Sequence, residues 1–314
     1  MIDVIVSRKR QEARDICSYE LTRPDGGELP AFTAGAHVDV HLPGGLVRQY
    51  SLCNAPGERH RYLIAVLREP DSRGGSAAMH EHVQEGDRLT ISEPRNQFPL
   101  AEDAGRTLLL AGGIGITPLL AMAERLAQLG ADFELHYCAR SLERMAFRGR
   151  LLESPYADRV HLHLDDGEQA QRFRPDAVLS QPEPDSRLYV CGPSGFMDYV
   201  IGAARERGWP EERIHREYFS AEPDTGGEEF RIQIASTGQI LDVPEDKTVV
   251  QVLEEAGIPI MTSCEQGICG TCLTPVLEGE LDHRDLFLTE EERAEGKLFT
   301  PCCSRGKGLV VLDL

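Results

Sequence analysis

The run CEQGICGTC, Cys264 to Cys272, constrains this chain more than any other stretch. Its spacing is C-x4-C-x2-C, and a cysteine pair, Cys302 and Cys303, follows downstream. This spacing with a distant fourth cysteine is one that holds a 2Fe–2S cluster. Four thiolates must then converge on two irons, so the loop has to wrap tightly and the segment around residue 302 has to fold beside it. Gly267 and Gly270 permit such wrapping and let backbone amides turn toward the sulfurs. Structural zinc is the competing reading, but zinc sites generally take C-x2-C pairs on both sides, and only Cys269 and Cys272 form one here. Spacing alone leaves Cys302 and Cys303 as alternatives for the fourth ligand.

The other cysteines fit thiol chemistry better than a disulfide framework. The chain has nine, and a secreted protein would tend to pair them. Met1 to Arg14 is polar or charged at most positions, unlike an export signal, and no apolar run reaches the ~18–20 residues that span a bilayer. The expectation is a cytoplasmic protein with no membrane partner. The net charge of −19 argues against nucleic acid, whose phosphates it would repel. Residues 228–314 hold 17 acidic and 7 basic residues, net −10. Such an acidic tail either steers a basic partner or serves solubility.

Three patterns succeed one another along the chain, whose 314 residues suit two or three domains. From His37 to Glu93 the sequence is all-β. HVDVHL (His37 to Leu42) alternates with period 2, VRQYSL (Val47 to Leu52) and YLIAVL (Tyr62 to Leu67) follow, and Pro43-Gly44 and Pro56-Gly57 supply turns. Short strands so spaced suggest an antiparallel barrel. After Ala104 the pattern becomes βαβ: strands at Thr107–Gly113, Phe133–Ala139, Val160–Leu164 and Leu188–Gly192 alternate with helical stretches, predicting a parallel sheet. Thr117 then Pro118 suits a helix N-cap and first helical residue. AEPDTGGEE (Ala221 to Glu229) reads as a linker. Beyond it lie strand candidates Phe230–Ala235 and Gln239–Val243 and a helix near Val249–Ala256.

RQYSL (Arg48 to Leu52) is the second motif. On a strand, Arg48, Tyr50 and Leu52 share one face and Ser51 takes the other. Arg48 offers charge to a phosphate and Tyr50 a flat ring to stack on a heterocycle, although an Arg and a Tyr on a strand are usually just surface and core. Gly74-Gly75-Ser76 adds backbone amides and a hydroxyl that can cradle a phosphate. Together these residues resemble the flavin-binding barrel of ferredoxin reductase-like enzymes. In the phthalate dioxygenase reductase branch of that family the flavin is FMN, and the resemblance implies that Arg48, Tyr50, Ser51 and Gly74, Gly75 and Ser76 hold it, with the strand Ala65, Val66, Leu67 against the flavin.

GGIGITP (Gly112 to Pro118), between a strand and a helix, is the third. Glycines at such a turn let a dinucleotide approach the backbone, and the helix N-terminus favours its pyrophosphate. The third Gly of G-x-G-x-x-G would fall at Pro118, so this is not the Rossmann fingerprint. It is similar to the nicotinamide-domain turn of the same family, and CGPSGFM (Cys191 to Met197) to that family's second signature. The resemblance implies that Gly112, Gly113, Gly115 and Thr117 take the nucleotide, and that Cys191, Gly192 and Pro193 lie near the nicotinamide–flavin contact. It places Arg140, in YCARS, at the adenosine ribose. The family's NADH-using members follow this arginine with an acidic residue, where this chain has Ser141. NADH is the expected donor, with some use of NADPH. Phe219, in EYFSA, matches a phenylalanine that covers the flavin, against the plain alternative of a core aromatic.

The resemblance spans essentially the whole chain and extends to RGGS, PRNQFPL and DHRDLFL. It points to the phthalate dioxygenase reductase and vanillate O-demethylase reductase branch, with its plant-type ferredoxin module. In that branch the fourth ligand precedes a residue–Ser–Arg stretch, here Cys303-Ser304-Arg305, which implies Cys264, Cys269, Cys272 and Cys302 as the ligands and Cys303 as a packed thiol. The implied architecture is an FMN-binding antiparallel β-barrel over 1–103, an NAD-binding α/β domain with a parallel sheet over 104–222 and an α+β ferredoxin-like domain of β-grasp type over 223–314. The implied activity is transfer of hydride from NADH to flavin and of single electrons through the cluster to a Rieske-type oxygenase or O-demethylase, by a monomer. Another acceptor, such as a cytochrome P450, and a zinc-stabilised nucleotide-binding module without redox activity are the two other readings.

Overall fold

Alternation along Ile2, Val4 and Val6, all buried, starts the first strand and sets the inward face of a sheet. The computed structural model describes residues 1–42, 45–70, 74–220, 224 and 226–314. The Pro43-Gly44 turn, Arg73 of RGGS and parts of Ala221–Glu229 therefore lie outside the described residues. The chain divides into two compact units, Met1–Phe219 and Ser220–Leu314.

The first unit opens with β1 (Ile2–Ala13), β2 (Ile16–Thr22), β3 (His37–His41), β4 (Val47–Ser51), β5 (Tyr62–Leu67) and β6 (Arg88–Ile91). They form one antiparallel sheet in the order β4-β3-β6-β1-β2-β5. The end strands approach one another, with the Cys53 amide donating to the Leu63 carbonyl at 2.9 Å. The sheet thus curls as a barrel around Val4, Tyr19, Val38, Tyr62 and Ile64. Helix α1 (Gly75–His82) follows β5. The first two strands were not identified from the sequence, because β1 is buried only near its start and becomes polar and exposed beyond Val6.

A second sheet holds β7 (Arg106–Gly112), β8 (Phe133–Ala139), β9 (Val160–Leu164), β10 (Ser186–Cys191) and β11 (Ile214–Glu217). It is parallel, ordered β11-β10-β7-β8-β9. Helices α2 (Ile116–Leu129), α3 (Arg148–Leu152), α4 (Pro175–Val178) and α5 (Ser194–Glu206) connect its strands. Burial of Leu119, Leu120, Ala123 and Leu126 gives α2 the apolar face expected of it. This sheet and the barrel share a core: Ala34, Cys53, Ala65 and Phe98 pack with Leu119, Met122 and Tyr189. The Tyr189 hydroxyl accepts from the Ala101 amide at 2.8 Å.

The second unit is a mixed sheet of β12 (Phe230–Ile234), β13 (Ile240–Val243), β14 (Thr274–Asp282), β15 (Leu298–Phe299) and β16 (Arg305–Leu312), with α6 (Val249–Glu255) and α7 (Glu290–Glu295). Its order is β13-β12-β16-β14-β15, with β12 and β16 parallel and the other pairs antiparallel. Thr248 and Gln251 cap α6 reciprocally, a capping box. The described part of the expected linker is pinned to this unit: Arg284 donates to the Asp224 and Gly226 carbonyls, and Arg305 to the Glu228 carbonyl at 3.0 Å. No helix among the described residues is long and apolar enough to cross a membrane.

Candidate functional site

At the barrel, β4 and α1 meet as the motifs imply. The Arg48 side chain lies across Gly75, where a Cβ would stand 2.5 Å from its Cγ and Nε. Gly74 enters α1 in the left-handed conformation, φ 82°, with no side chain capping the helix. A guanidinium is thereby laid beside uncapped helix amides, a combination that binds phosphate. The Ser76 hydroxyl accepts from the Glu69 amide at 3.1 Å, which leaves its own hydrogen to donate. Tyr50 is half-buried, and burial pushes its phenol up while Arg48 opposes the shift. Of the strand expected against the flavin, Val66 points into the barrel core, whereas Ala65 and Leu67 belong with the shared core. The Val66 carbonyl is already bonded to the His80 ring at 2.9 Å.

The two glycine turns interlock. A Cβ on Gly115 would stand 2.2 Å from the Cys191 carbonyl oxygen, and one on Gly192 2.9 Å from the Gly112 Cα. A side chain at Gly112 would strike the Phe196 ring at 2.7 Å. Gly113, with φ 55°, has open space where a side chain would be. Gly112, Gly115 and Gly192 thus let the two turns pack together, and Gly113 presents bare backbone at the carboxyl edge of the parallel sheet, where ligands of α/β folds bind. Pro193 is exposed and precedes α5. Thr117 is not the helix cap: α2 begins at Ile116 with Gly115 before it, and the buried Thr117 hydroxyl donates to the Ile114 carbonyl at 3.0 Å. A short 3-10 turn over Gly113–Gly115 moves the helix start ahead of the Thr-Pro pair. Arg140 is exposed just past the end of β8, with Ser141 beside it. Phe219 is 37% exposed, so it is not a core aromatic.

Glu217 joins these parts and was missed from the sequence. It ends β11, opposite Cys191 in the strand register, and accepts from the Ser51 hydroxyl at 3.5 Å. Burial pushes its carboxyl up to about 8, with Ser51 pulling the other way. Burial likewise drives the Cys191 thiol up, and the Glu217 charge adds to it. A barrel hydroxyl, a thiol and a carboxyl whose ionisation burial disfavours thus meet where the two sheets join. The available signal was positional, since Glu217 closes a strand at the same sheet edge as Gly112 and Cys191.

In the second unit the four cysteines expected as ligands come together. Cys264, Cys269, Cys272 and Cys302 are all buried. The Cys264 thiol is held low by hydrogen bonding with Cys269 and then Cys302, and the Cys272 thiol by hydrogen bonding with Cys302. Gly267 (φ 70°) and Gly270 (φ 66°) are both left-handed, as the wrapping requires. The Gln266 amide donates to Cys264 Sγ at 3.3 Å and the Thr271 amide to Cys269 Sγ at 3.4 Å. Four converging sulfurs with inward amides are the donor set of a 2Fe–2S cluster. Cys303 packs instead among Thr300 Oγ1 at 3.6 Å and Ser304 Oγ at 3.8 Å, and a Cβ on Gly267 would stand 2.5 Å from its sulfur.

A flavin-type barrel, a nucleotide-binding parallel sheet and a cysteine-lined β-grasp unit in one chain define an electron-transfer oxidoreductase. Residues 109–201 match the oxidoreductase NAD-binding domain family, and residues 232–307 the 2Fe-2S iron-sulfur cluster binding domain family. The chain is 56% identical over 317 residues to a vanillate O-demethylase oxidoreductase of Pseudomonas sp. strain HR199, covering all of both chains. Its fold matches the solved phthalate dioxygenase reductase, described as a modular structure for electron transfer from pyridine nucleotides to [2Fe-2S], with TM-score 0.77 and 38% identity over 100% of this chain and 98% of that one. It also matches an intact type IV self-sufficient cytochrome P450 monooxygenase with TM-score 0.86 and 38% identity, covering 100% of this chain and 41% of that larger one. The chain belongs to the family of phthalate dioxygenase and vanillate O-demethylase reductases. It is an iron–sulfur flavoprotein oxidoreductase with FMN, NADH and a 2Fe–2S cluster as cofactors, and the non-redox zinc module is set aside.

Proposed function

We propose that this chain is the cytoplasmic, monomeric reductase of a Rieske-type O-demethylase or aromatic-ring oxygenase, with an aromatic methyl ether such as vanillate as the partner's substrate. End-to-end identity of 56% with a vanillate O-demethylase oxidoreductase carries the reading. Its working parts are an FMN domain over 1–103, an NAD domain over 104–222 and a ferredoxin domain over 223–314.

When bound, the cofactors supply the chemistry, hydride acceptance by the flavin and one-electron transfer through the cluster. The chain supplies position. Arg48 and the Gly74–Ser76 amides hold the FMN phosphate, Tyr50 and Ser51 face the ring system, and Ala65 and Leu67 wall it. Gly112, Gly113 and Gly115 admit the dinucleotide, Arg140 lies along its adenosine end, and Cys191, Gly192 and Pro193 border the nicotinamide. Phe219 covers the flavin. Cys264, Cys269, Cys272 and Cys302 ligate the cluster. A plant-type cluster near about −400 mV can reduce a Rieske centre at roughly −150 mV or above.

The test is reconstitution. The purified reductase, mixed with a Rieske O-demethylase component and vanillate, should couple NADH oxidation to release of formaldehyde. Absence of coupling across a panel of such oxygenases would end the reading. The match to a P450-fused reductase favours one second reading, a cytochrome P450 acceptor, which the same assay distinguishes when a P450 replaces the oxygenase.

A further inference from the structure

We propose that Glu134, His136 and His161 form a binding site for a divalent first-row metal ion of the zinc type on one face of the parallel sheet, away from the nucleotide turns. Glu134 and His136 are two residues apart on β8 and so share a face. His161 on β9 is the register partner of His136. One carboxylate oxygen and one nitrogen from each ring lie within 4.8 Å of one another.

The hydrogen bonds around His136 point the same way. Arg106 takes Glu134 Oε1 at 2.8 Å, and Glu134 Oε2 lies 3.2 Å from His136 Nε2. On its other side His136 Nδ1 lies 3.1 Å from His163 Nε2. In the tautomer in which His136 Nδ1 donates to His163 Nε2, His136 Nε2 turns its lone pair toward the Glu134 carboxylate. A cation between those two acceptors satisfies both. A proton there would make an imidazolium of a ring only 5% exposed, a costly burial.

The dimensions suit zinc. Bonds of about 2.0–2.1 Å in a tetrahedron place neighbouring ligand atoms roughly 3.3 Å apart, close to the Glu134–His136 separation. His161 is exposed and stacks on His136 with ring centroids 4.6 Å apart. Turning its ring gives up that stacking and supplies the third ligand, with water as the fourth. His163 is the positioning residue, orienting His136 through its second nitrogen as metal-bound histidines usually require.

Calorimetric titration of the flavin- and cluster-loaded protein with Zn2+ tests the site. The expected result is one Zn2+ per chain, with affinity falling about tenfold or more in His161→Ala and in Glu134→Gln while the flavin and cluster absorbance stays unchanged. His161 is a surface residue, so its variant keeps the fold even if loss of the Glu134–Arg106 ion pair does not. Failure of the wild type to bind one Zn2+, or unchanged affinity in His161→Ala, would overturn the proposal and leave any bound zinc to the cysteines.

Discussion

The Arg48 side chain occupies the space that any side chain at Gly75 would need, with Cγ and Nε 2.5 Å from the position of a Cβ. Gly75→Ala therefore has to displace the guanidinium from the α1 amides. A charged hydrogen bond to phosphate contributes about 1.5–3 kcal/mol, so FMN affinity should fall about tenfold or more. Arg48→Ala should do the same. Flavin content after dialysis and fluorescence titration of the stripped protein measure it. Full retention of FMN by Gly75→Ala would place the phosphate elsewhere.

Glu217 gives the protein a pH dependence with a definite sign. Its folded value of about 8 stands above the ordinary 4.5, so the folded state favours the neutral carboxyl. That contribution is complete below about pH 4.5 and is lost as pH rises toward 8. Tm should decline across this window, and Glu217→Gln should flatten the decline. The rate of flavin reduction by NADH should show the same change in its pH profile, because the carboxyl lies beside Ser51 and Cys191. An unaltered Tm profile in the glutamine variant would show that Glu217 ionises freely.

Cys302 and Cys303 are adjacent in sequence yet face different surroundings. Cys302 interacts with Cys264 and Cys272 as well as with its neighbour Cys303, whereas Cys303 also lies among Thr300 and Ser304. Cys302→Ser should lose the iron–sulfur absorption and Cys303→Ser should keep it. Cys272→Ala should lose the cluster but keep FMN, because its unit has its own core. That variant should still reduce ferricyanide with NADH and fail with cytochrome c. Loss of both activities together would count against independent units.

These contrasts mark where the sequence was readable. The cysteine loop was readable because three of its cysteines are close in sequence and its two glycines, both left-handed, let it wrap. The β8 and β5 boundaries were legible because their apolar runs are largely buried on both faces, and that of β9 because Val160, Leu162 and Leu164 alternate with histidines. Glu217 was not, since its meaning comes from Ser51, more than a hundred residues away, across a core shared by two sheets. His136, His161 and His163 escaped for a similar reason: VHLHL reads as a strand, and only the parallel register lays its rings against β8. The Thr117-Pro118 cap failed because the 3-10 turn before α2 consumes the position that the pair would have started.

Donor choice rests on the end of β8, where Arg140 is exposed and Ser141 follows. An arginine there can lie along the adenine face as a planar cation rather than pair with a 2′-phosphate. Ser141 carries no charge to repel that phosphate, so the wild type should use NADPH to some extent while preferring NADH. Ser141→Asp places a carboxylate where it can accept from the ribose 2′-hydroxyl and repel the 2′-phosphate. About 1.4 kcal/mol of discrimination is a tenfold effect, and the ratio of kcat/KM for NADH over NADPH should rise by at least about that factor. Steady-state kinetics with both donors on the wild type and the variant decide it. A flat ratio would remove Ser141 from the ribose, and a strong wild-type preference for NADPH would reassign Arg140 to the 2′-phosphate.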